Sequence, residues 1–275
     1  SYPDGFHGYR ACVSSDRQHW GRVETSFDGK VLIIHDTPRH DSVYYAYFAP
    51  YSLERHADLI ADIARRPQVQ VERLGASVDG RDIDLLRIGQ PTSDRRVCWI
   101  IARQHPGETM AEFLVEGLLH RLVDEEDPVS QALLEKAVFY VVPNMNPDGS
   151  RRGHLRTNYA GVNLNREWDN PTAERSPEVL CVRNAMDESG VDWAMDVHGD
   201  EAIPAVFLAG FEGIKTPKPG QIEKYKVCGT VLSIITKVLI SGCFAISKFS
   251  TGDSAICVAQ QEQEQKGEHK SRCSW

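Results

Sequence analysis

Two histidines and a glutamate follow apolar segments of the sequence, where the end of a strand by itself needs no such side chain. His105 and Glu108 belong to the segment HPGE, just after the apolar run VCWIIA at 97–102, and His198 follows the run VDWAMDV. Two imidazoles and one carboxylate are the ligand set of many catalytic zinc sites, in which a fourth position stays open for water. These donors suit Zn²⁺ better than Mg²⁺ or Ca²⁺. The three residues are therefore candidate ligands of one zinc ion.

The His-x-x-Glu spacing alone is weak evidence for a metal site. Short motifs often match by chance. Glu108 also suits the start of a helix, because a carboxylate stabilises the free N–H groups there. His105 alone could be an ordinary loop histidine. The interpretation therefore depends on the elements that would place these side chains and His198 at one point.

Those elements predict an α/β domain with a mixed, mostly parallel sheet flanked by helices. Buried strands are predicted over 97–102 and in VFYVV at 138–142, and helices over 52–66 and 108–123. Strands that alternate with helices in this way are typical of such sheets. The carboxyl ends of parallel strands meet at one edge, where ligands bind. We therefore expect His105, Glu108 and His198 to lie together at that edge.

A polar segment at 143–168 supplies further candidates and is predicted to be a long loop. It contains four arginines, although the chain has a net charge of −8. A guanidinium can bind a carboxylate through two hydrogen bonds, and Asn165 beside Arg166 adds amide donors. We interpret Arg151 and Arg152 as ordinary solvated side chains, which is the usual state of arginine.

The segments HPGE, NPDG, NLNREW and DVHGDE, in this order and spacing, resemble the M14 metallocarboxypeptidases, in particular their cytosolic carboxypeptidase-like branch. The segment DSVYYAYFAPYS at 41–52 resembles the end of the β domain that precedes the catalytic domain in that branch. The resemblance covers residues 5–213. It implies an eight-stranded mixed sheet with helices on both faces, preceded by part of a small β-sandwich domain. It also implies one zinc ion per chain, held by His105, Glu108 and His198.

The resemblance implies roles for four more residues. Asn165 and Arg166 match the residues that bind the C-terminal carboxylate of the substrate. Arg156 matches the group that polarises the scissile carbonyl and stabilises the oxyanion. Asn163 stands where many family members have an aspartate that orients a zinc histidine. Its amide oxygen can still accept the imidazole N–H, but it carries less charge.

The implied function is a zinc-dependent carboxypeptidase that hydrolyses the C-terminal peptide bond of peptides or protein tails with water activated by zinc. Two alternatives stay open: a catalytically impaired zinc-binding or truncated product, and a zinc amidohydrolase of N-acyl amino acids. The family's general base is a glutamate in a segment similar to TLEMPF, which we do not find. Glu262 and Glu264 lie in a glutamine-rich tract with no buried strand predicted before them.

The chain is predicted to contain three parts. Residues 1–51, with strands expected over 30–36 and 42–48, form the C-terminal part of an N-terminal β domain. Residues 52–213 form an incomplete zinc carboxypeptidase catalytic domain. Residues 214–275 form a divergent tail, either frameshifted or disordered, because motif agreement stops near Gly213 and four of the seven cysteines cluster after it.

Charge and composition argue against several other classes of protein. A net charge of −8 disfavours binding to nucleic acid or to an anionic membrane surface. The apolar segment 227–246 contains Lys237, which is costly at the centre of a bilayer. The cysteines are odd in number and lack metal-like spacing, so we expect reduced thiols and a cytoplasmic protein. The expected partner is a peptide or protein C-terminal tail.

Overall fold

The N-terminal part of the chain forms two small antiparallel sheets. The computed structural model describes residues 5–200 and two later strands at 208–209 and 255–261. The first five strands are β1 (Cys12–Ser14), β2 (Gly21–Arg22), β3 (Glu24–Phe27), β4 (Leu32–His35) and β5 (Tyr44–Ala46). Strand β1 lies between β2 and β5, and β3 pairs with β4. The strands expected over 30–36 and 42–48 form as β4 and β5, but each pairs with an earlier strand.

Helices and strands alternate along the rest of the described chain. The elements are α1 (Leu53–Ile63), β6 (Val69–Ala76), β7 (Asp82–Ile88), β8 (Arg96–Ala102), α2 (Met110–Leu122), α3 (Pro128–Leu134), β9 (Ala137–Val142), α4 (Pro147–Arg152), a 3₁₀-helix (Leu164–Arg166), α5 (Pro177–Ser189), β10 (Trp193–Gly199), β11 (Leu208–Ala209) and β12 (Ala255–Gln261). Helix α1 begins where predicted, because the Ser52 side chain accepts the N–H of Arg55 and caps it.

The large sheet is mixed, as predicted. Its strand order is β11-β12-β10-β8-β9-β7-β6. The centre is parallel, since β8 runs parallel to both β9 and β10, and β12 runs parallel to β10. Both margins are antiparallel. The described residues contain seven strands of this sheet, one fewer than the eight that the resemblance implies.

The central strands are apolar on both faces because helices cover the sheet. All six residues of β9 are buried, as are Trp99, Ile100 and Ile101 of β8. The Trp99 ring stacks on Tyr140 of β9 at a centroid distance of 5.0 Å, and its indole N–H donates to the Ser189 hydroxyl of α5. Such burial is typical of parallel strands covered by helices. It fixes the strand ends from which the candidate ligands project.

The segment at 143–168 is more regular than predicted. It contains α4 and the 3₁₀-helix, so the expectation of one long loop is wrong. The Asn146 side chain caps α4 by accepting the N–H of Gly149, Pro147 occupies a first-turn position, and Gly153 ends the helix with a φ of 71°. Each is a known helix-terminus signal. The local sequence therefore favours a short helix despite its polar composition.

The segment predicted as a divergent tail contributes a strand to the sheet. Strand β12 pairs in parallel with β10, with Gln260 beside His198 in the register. A strand thus precedes Glu262, where the run AICVA favours extended pairing. Glu262 and Glu264 lie outside the described residues. The boundaries at 51 and 213 stay predictions.

Two further expectations concern the membrane and the cysteines. Within the described residues we find no helix long and apolar enough to cross a membrane. The apolar segment 227–246 lies outside those residues. Cys12, Cys98 and Cys181 are free thiols.

Candidate metal centre

The turn after β8 brings His105 and Glu108 to the same side of the backbone. Arg103 adopts a left-handed φ of 57°, which turns the chain out of the strand. The N–H of Glu108 then donates to the His105 carbonyl over 3.1 Å. Gly107 is required here, because a Cβ at this position would lie 2.8 Å from the Leu155 carbonyl oxygen. The HPGE segment thereby presents one imidazole and one carboxylate at one point.

His198 reaches the same point from the end of β10. The Nδ1 atoms of His105 and His198 lie 3.1 Å apart. Each Nδ1 lies 2.8 Å from a different oxygen of the Glu108 carboxylate. All three residues are buried, and their ligand atoms lie within 4.8 Å of one another. The structure thus brings together the three predicted ligands.

The outward ring nitrogens of the two histidines face acceptors of different charge. Nε2 of His105 lies 3.0 Å from the amide oxygen of Asn163. Nε2 of His198 lies 2.8 Å from the carboxylate of Asp196. A neutral imidazole that donates from Nε2 has a bare lone pair on Nδ1. Two lone pairs and the Glu108 carboxylate then lie close together in a buried space. Buried acceptors without a partner are costly, and a cation between them would satisfy all three groups.

The charges around the site stabilise positive charge in it. Burial disfavours the imidazolium form of His198, but the carboxylates of Asp196 and Glu108 outweigh burial and raise its pKa to about 10. Burial would raise the pKa of Glu108, yet His105 and His198 hold it well below its usual range. A metal cation at this point would compensate the negative charge of the same carboxylates in place of the extra proton on His198. The donor set, with two imidazoles and one carboxylate, fits zinc.

Arg156 lies at the rim of the candidate metal centre. Its Nη1 is 3.5 Å from Oε1 of Glu108, and its side chain is 33 % exposed. A charged group in that position is accessible to a bound molecule while it remains beside the ligand carboxylate. The structure therefore places the predicted oxyanion-stabilising residue next to the predicted metal ligands.

Asn163, Asn165 and Arg166 belong to the 3₁₀-helix and its cap. The Asn163 side chain accepts the N–H of Asn165 at 3.0 Å as well as contacting His105. Nδ2 of Asn165 lies 3.4 Å from Nε2 of His198. Arg166 is exposed and donates from Nη1 to the Asn165 carbonyl at 2.8 Å. This short helix therefore connects both histidines to an exposed guanidinium.

Sequence reasoning missed the residues that surround Asp196. Nε2 of Gln104 donates to the same Asp196 oxygen that contacts His198, over 2.5 Å. The Trp168 indole N–H donates to Oε1 of Gln104 over 2.8 Å. One signal was available, because Asp196 and His198 are two apart in a strand and so share a face. Nothing local in the sequence joins Gln104 or Trp168 to them.

A second missed group lies behind the HPGE turn. The buried guanidinium of Arg103 pairs with the Glu112 carboxylate of α2. Arg103 also donates to the carbonyls of Tyr51 and Pro106, over 2.9 and 3.1 Å. The His56 ring joins the same network, with Nδ1 2.6 Å from Glu112 and Nε2 3.0 Å from Asp84, a residue of β7. These four charged side chains, Arg103, Glu112, His56 and Asp84, are called the turn network below.

Two family models match the chain. The model for zinc carboxypeptidases, peptidase family M14, matches residues 57–192. The model for the N-terminal domain of cytosolic carboxypeptidases matches residues 1–48. The matches follow one another in the order that the resemblance implies.

Curated relatives of the chain are longer, and several of them are named cytosolic carboxypeptidases. An uncharacterized protein of Zymomonas mobilis is 61 % identical over 214 residues, which are 78 % of this chain and 56 % of the relative. Mouse cytosolic carboxypeptidase 6 is 30 % identical over 186 residues, which are 62 % of this chain and 34 % of the relative. The chain therefore spans about half of the first relative and about a third of the second.

Solved structures of metallocarboxypeptidases share the fold. The enzyme of Burkholderia cenocepacia superposes with a TM-score of 0.87 at 42 % identity, over 95 % of this chain and 73 % of the other. The enzyme of Pseudomonas aeruginosa, solved in complex with (2-guanidinoethylmercapto)succinic acid, gives a TM-score of 0.82 at 38 % identity, over 94 % and 72 % of the two chains. The fold class expected from the sequence is confirmed by these neighbours. The chain belongs to the M14 zinc carboxypeptidases, in their cytosolic carboxypeptidase branch.

Proposed function

We propose that this chain carries the metal site of a zinc-dependent carboxypeptidase that hydrolyses the C-terminal peptide bond of peptides or protein tails. The observation that carries the proposal is the convergence of His105, Glu108 and His198, whose ligand atoms lie within 4.8 Å of one another. These residues hold one zinc ion. Asn163 supports His105 from behind, through the 3.0 Å contact to its Nε2.

Arg156 stabilises negative charge at the reacting carbonyl. Zinc bound at this site would supply a water molecule acidic enough to react near neutral pH and a positive charge for the carbonyl oxygen. The Arg156 guanidinium, 3.5 Å from Glu108 and partly exposed, adds fixed positive charge on the open side of the site. Such prearranged charge acts where an oxyanion develops. We assign no residue as the general base.

Arg166 and Asn165 bind the C-terminal carboxylate of the substrate. The Arg166 guanidinium is exposed, and its bond to the Asn165 carbonyl leaves further N–H donors for a carboxylate. The compound in the Pseudomonas aeruginosa structure is a substituted succinic acid, which supports carboxylate binding in this family. The names of the curated relatives support a cytoplasmic location.

The proposal is tested by metal content and by the requirement for a free C-terminus. The purified chain is dialysed with zinc and analysed by elemental mass spectrometry. Peptides with a free and an amidated C-terminus are then offered as substrates. We expect about one zinc per chain, and release of C-terminal amino acids only from the free peptide. A chelator should abolish this release, since the zinc supplies the reactive water.

Two substitutions separate the metal site from other histidines. His198→Ala removes a buried ligand, whereas His19→Ala changes an exposed histidine of the N-terminal part, whose side chain is 88 % exposed. The first variant should lose zinc and the second should retain it. A folded chain that binds no zinc contradicts the proposal. Zinc binding without turnover supports the impaired alternative, and turnover of N-acyl amino acids alone supports the amidohydrolase.

A further inference from the structure

We propose that Asp196 is the positioning residue that sets the zinc affinity of this site, through His198, and that it does so more strongly than Asn163 does through His105. The proposal rests on the metal site described above. Its basis is an asymmetry: the outward Nε2 of His198 faces a carboxylate, whereas that of His105 faces an amide. A carboxylate behind a metal histidine makes the imidazole a stronger donor and fixes its tautomer.

Asp196 is held so that its carboxylate must face the histidine. It lies on β10 two residues before His198 and is 1 % exposed. One oxygen, Oδ2, contacts both Nε2 of His198 at 2.8 Å and Nε2 of Gln104 at 2.5 Å. Asp196 and His198 lie on the same face of β10, and backbone pairing with β12 covers both positions and fixes their spacing.

The orientation of the Gln104 amide is fixed by Trp168. An indole N–H can only donate, so its 2.8 Å contact assigns the facing Gln104 atom as the oxygen. The amide nitrogen of Gln104 therefore points at Asp196 and donates to it. The Asp196 oxygen that accepts from Gln104 also faces Nε2 of His198, over 2.8 Å, and accepts its proton. Nδ1 of His198 is left as a lone pair directed at Glu108 and His105.

The Asn163 contact lacks this charge. Its amide oxygen accepts from His105, at 3.0 Å, and from the Asn165 N–H. It fixes the tautomer of His105 but adds no negative charge near the metal. Of the two outward contacts, the one made by Asp196 therefore contributes more to holding a divalent cation.

The test compares zinc affinities of the full chain, measured by competition with a chromophoric chelator. Asp196→Asn keeps the size and an acceptor oxygen but removes the charge. We expect its zinc dissociation constant to rise by about 10- to 100-fold, as is typical when such partners are changed. Asn163→Asp in the same background should restore at least part of the loss, since it returns a carboxylate to the other histidine.

A matched control uses the same chemical change on the same strand segment. Asp192 precedes β10 at its far end, where it pairs with Arg96 and accepts the Val97 N–H. Asp192→Asn should leave the zinc dissociation constant within twofold of the original. Metal-free unfolding is recorded for every variant, so that a general loss of stability is recognised. If Asp196→Asn does not fold, Trp168→Phe serves instead, because it removes the donor to Gln104 and keeps an aromatic ring. Its expected loss of affinity is smaller, about 3- to 10-fold.

A second measurement distinguishes positioning from mere packing. Nitrogen NMR of the zinc-loaded protein reports which ring nitrogen of His198 carries the proton. We expect a proton on Nε2 of His198 in the original chain, and a mixture of ring states or a shifted Nε2 resonance in Asp196→Asn. An unchanged dissociation constant and an unchanged spectrum in a folded Asp196→Asn variant overturn the inference. If the original chain binds no zinc at all, the proposed function itself fails, which is a separate outcome.

Discussion

The two histidines of the candidate metal centre are held by two different kinds of structure. His105 lies in a turn, and the turn is held from behind by a buried network of charged side chains that reaches α1, α2 and β7. His198 lies within a strand, and the side chain behind it belongs to that same strand. A turn has few backbone hydrogen bonds of its own, so distant side chains must fix it. A central strand already has its neighbours.

This difference predicts which property of the protein, stability or metal affinity, a substitution near each histidine will change. Changes in the turn network should lower the stability of the whole fold, because its members join several elements. Changes behind His198 should act mainly on metal affinity, because the strand remains paired.

Glu112→Gln should have the largest effect on stability. Glu112 is fully buried and pairs with both Arg103 and His56. Removing one member of a buried ion pair typically costs about 3–5 kcal/mol, since the remaining charges stay buried without their partner. We expect a loss of this order in the free energy of unfolding of the metal-free chain, measured with urea.

The neighbouring Glu116→Gln is the control for that measurement. Glu116 lies one helical turn further along α2 and pairs with Arg55, whose side chain is 45 % exposed. Exposed pairs contribute about 0–1 kcal/mol. Equal losses in the two variants would show that the turn network has no special role.

The turn network should also make stability depend on pH. Burial disfavours charge on His56, but hydrogen bonds and charges from Asp84 and Glu112 raise its pKa to about 9. Because the folded pKa is above the ordinary value near 6.5, the stabilisation is complete below about pH 6.5 and is lost as the pH rises through about 9. The expected loss between these limits is roughly 3–4 kcal/mol, at about 1.4 kcal/mol per pKa unit.

The measurement is a set of urea unfolding curves between pH 6 and pH 10. His56→Phe should lower stability at pH 6 and reduce the dependence above pH 7, because one of the groups that lose a proton is gone. The slope that remains is expected from His198, whose pKa is raised to about 10 in the metal-free chain. A variant that keeps the same slope as the original chain would assign the dependence to another group. Metal-free protein is used throughout, so that zinc binding does not contribute to the curves.

A pair of glycine substitutions, Gly149→Ala and Gly199→Ala, compares the turn that carries His105 with the strand that carries His198. A Cβ at Gly149 would meet the Pro106 ring of the HPGE turn and lie 2.7 Å from the Thr157 carbonyl, neither of which can move easily. A Cβ at Gly199 would meet the flexible Met110 side chain and lie 3.1 Å from Cβ of Glu108, which would have to shift by only a few tenths of an ångström. We expect losses of about 1–3 kcal/mol for the first variant, and less for the second.

Thermal unfolding of both glycine variants checks the order of these losses. Zinc titration of Gly149→Ala should also show weaker binding, since the displaced Pro106 belongs to the turn that presents His105 and Glu108. If Gly199→Ala proves the more harmful of the two, the strand side is less tolerant than its pairing indicates.

The sequence predicted the parallel centre of the sheet well, because the information is local. The runs that became β8 and β9 are continuous apolar segments, and β10 is apolar apart from Asp196 and His198. A chain with such segments between helices has few other folds available. From the parallel arrangement, the meeting of His105, Glu108 and His198 at one edge followed without knowledge of any contact.

The sequence predicted the supporting residues poorly, because their contacts are not local. Gln104 contacts Asp196, which lies 92 positions away in the sequence, and Trp168, which lies 64 positions away. The turn network likewise joins His56 to Glu112 across 56 positions. Helix α4 is a different case, since Asn146, Pro147 and Gly153 gave local signals. Its polar composition concealed them.

The 93 positions between His105 and His198 have a consequence for the order in which the protein is made. The turn with His105 and Glu108 leaves the ribosome before β10 has been synthesised, and domains tend to fold from the N-terminus as they emerge. Two ligands alone hold a zinc ion weakly. If the site holds zinc as proposed, tight binding must wait until β10 has paired with β8. Zinc would then be bound only by newly made chains in which the centre of the sheet has already formed.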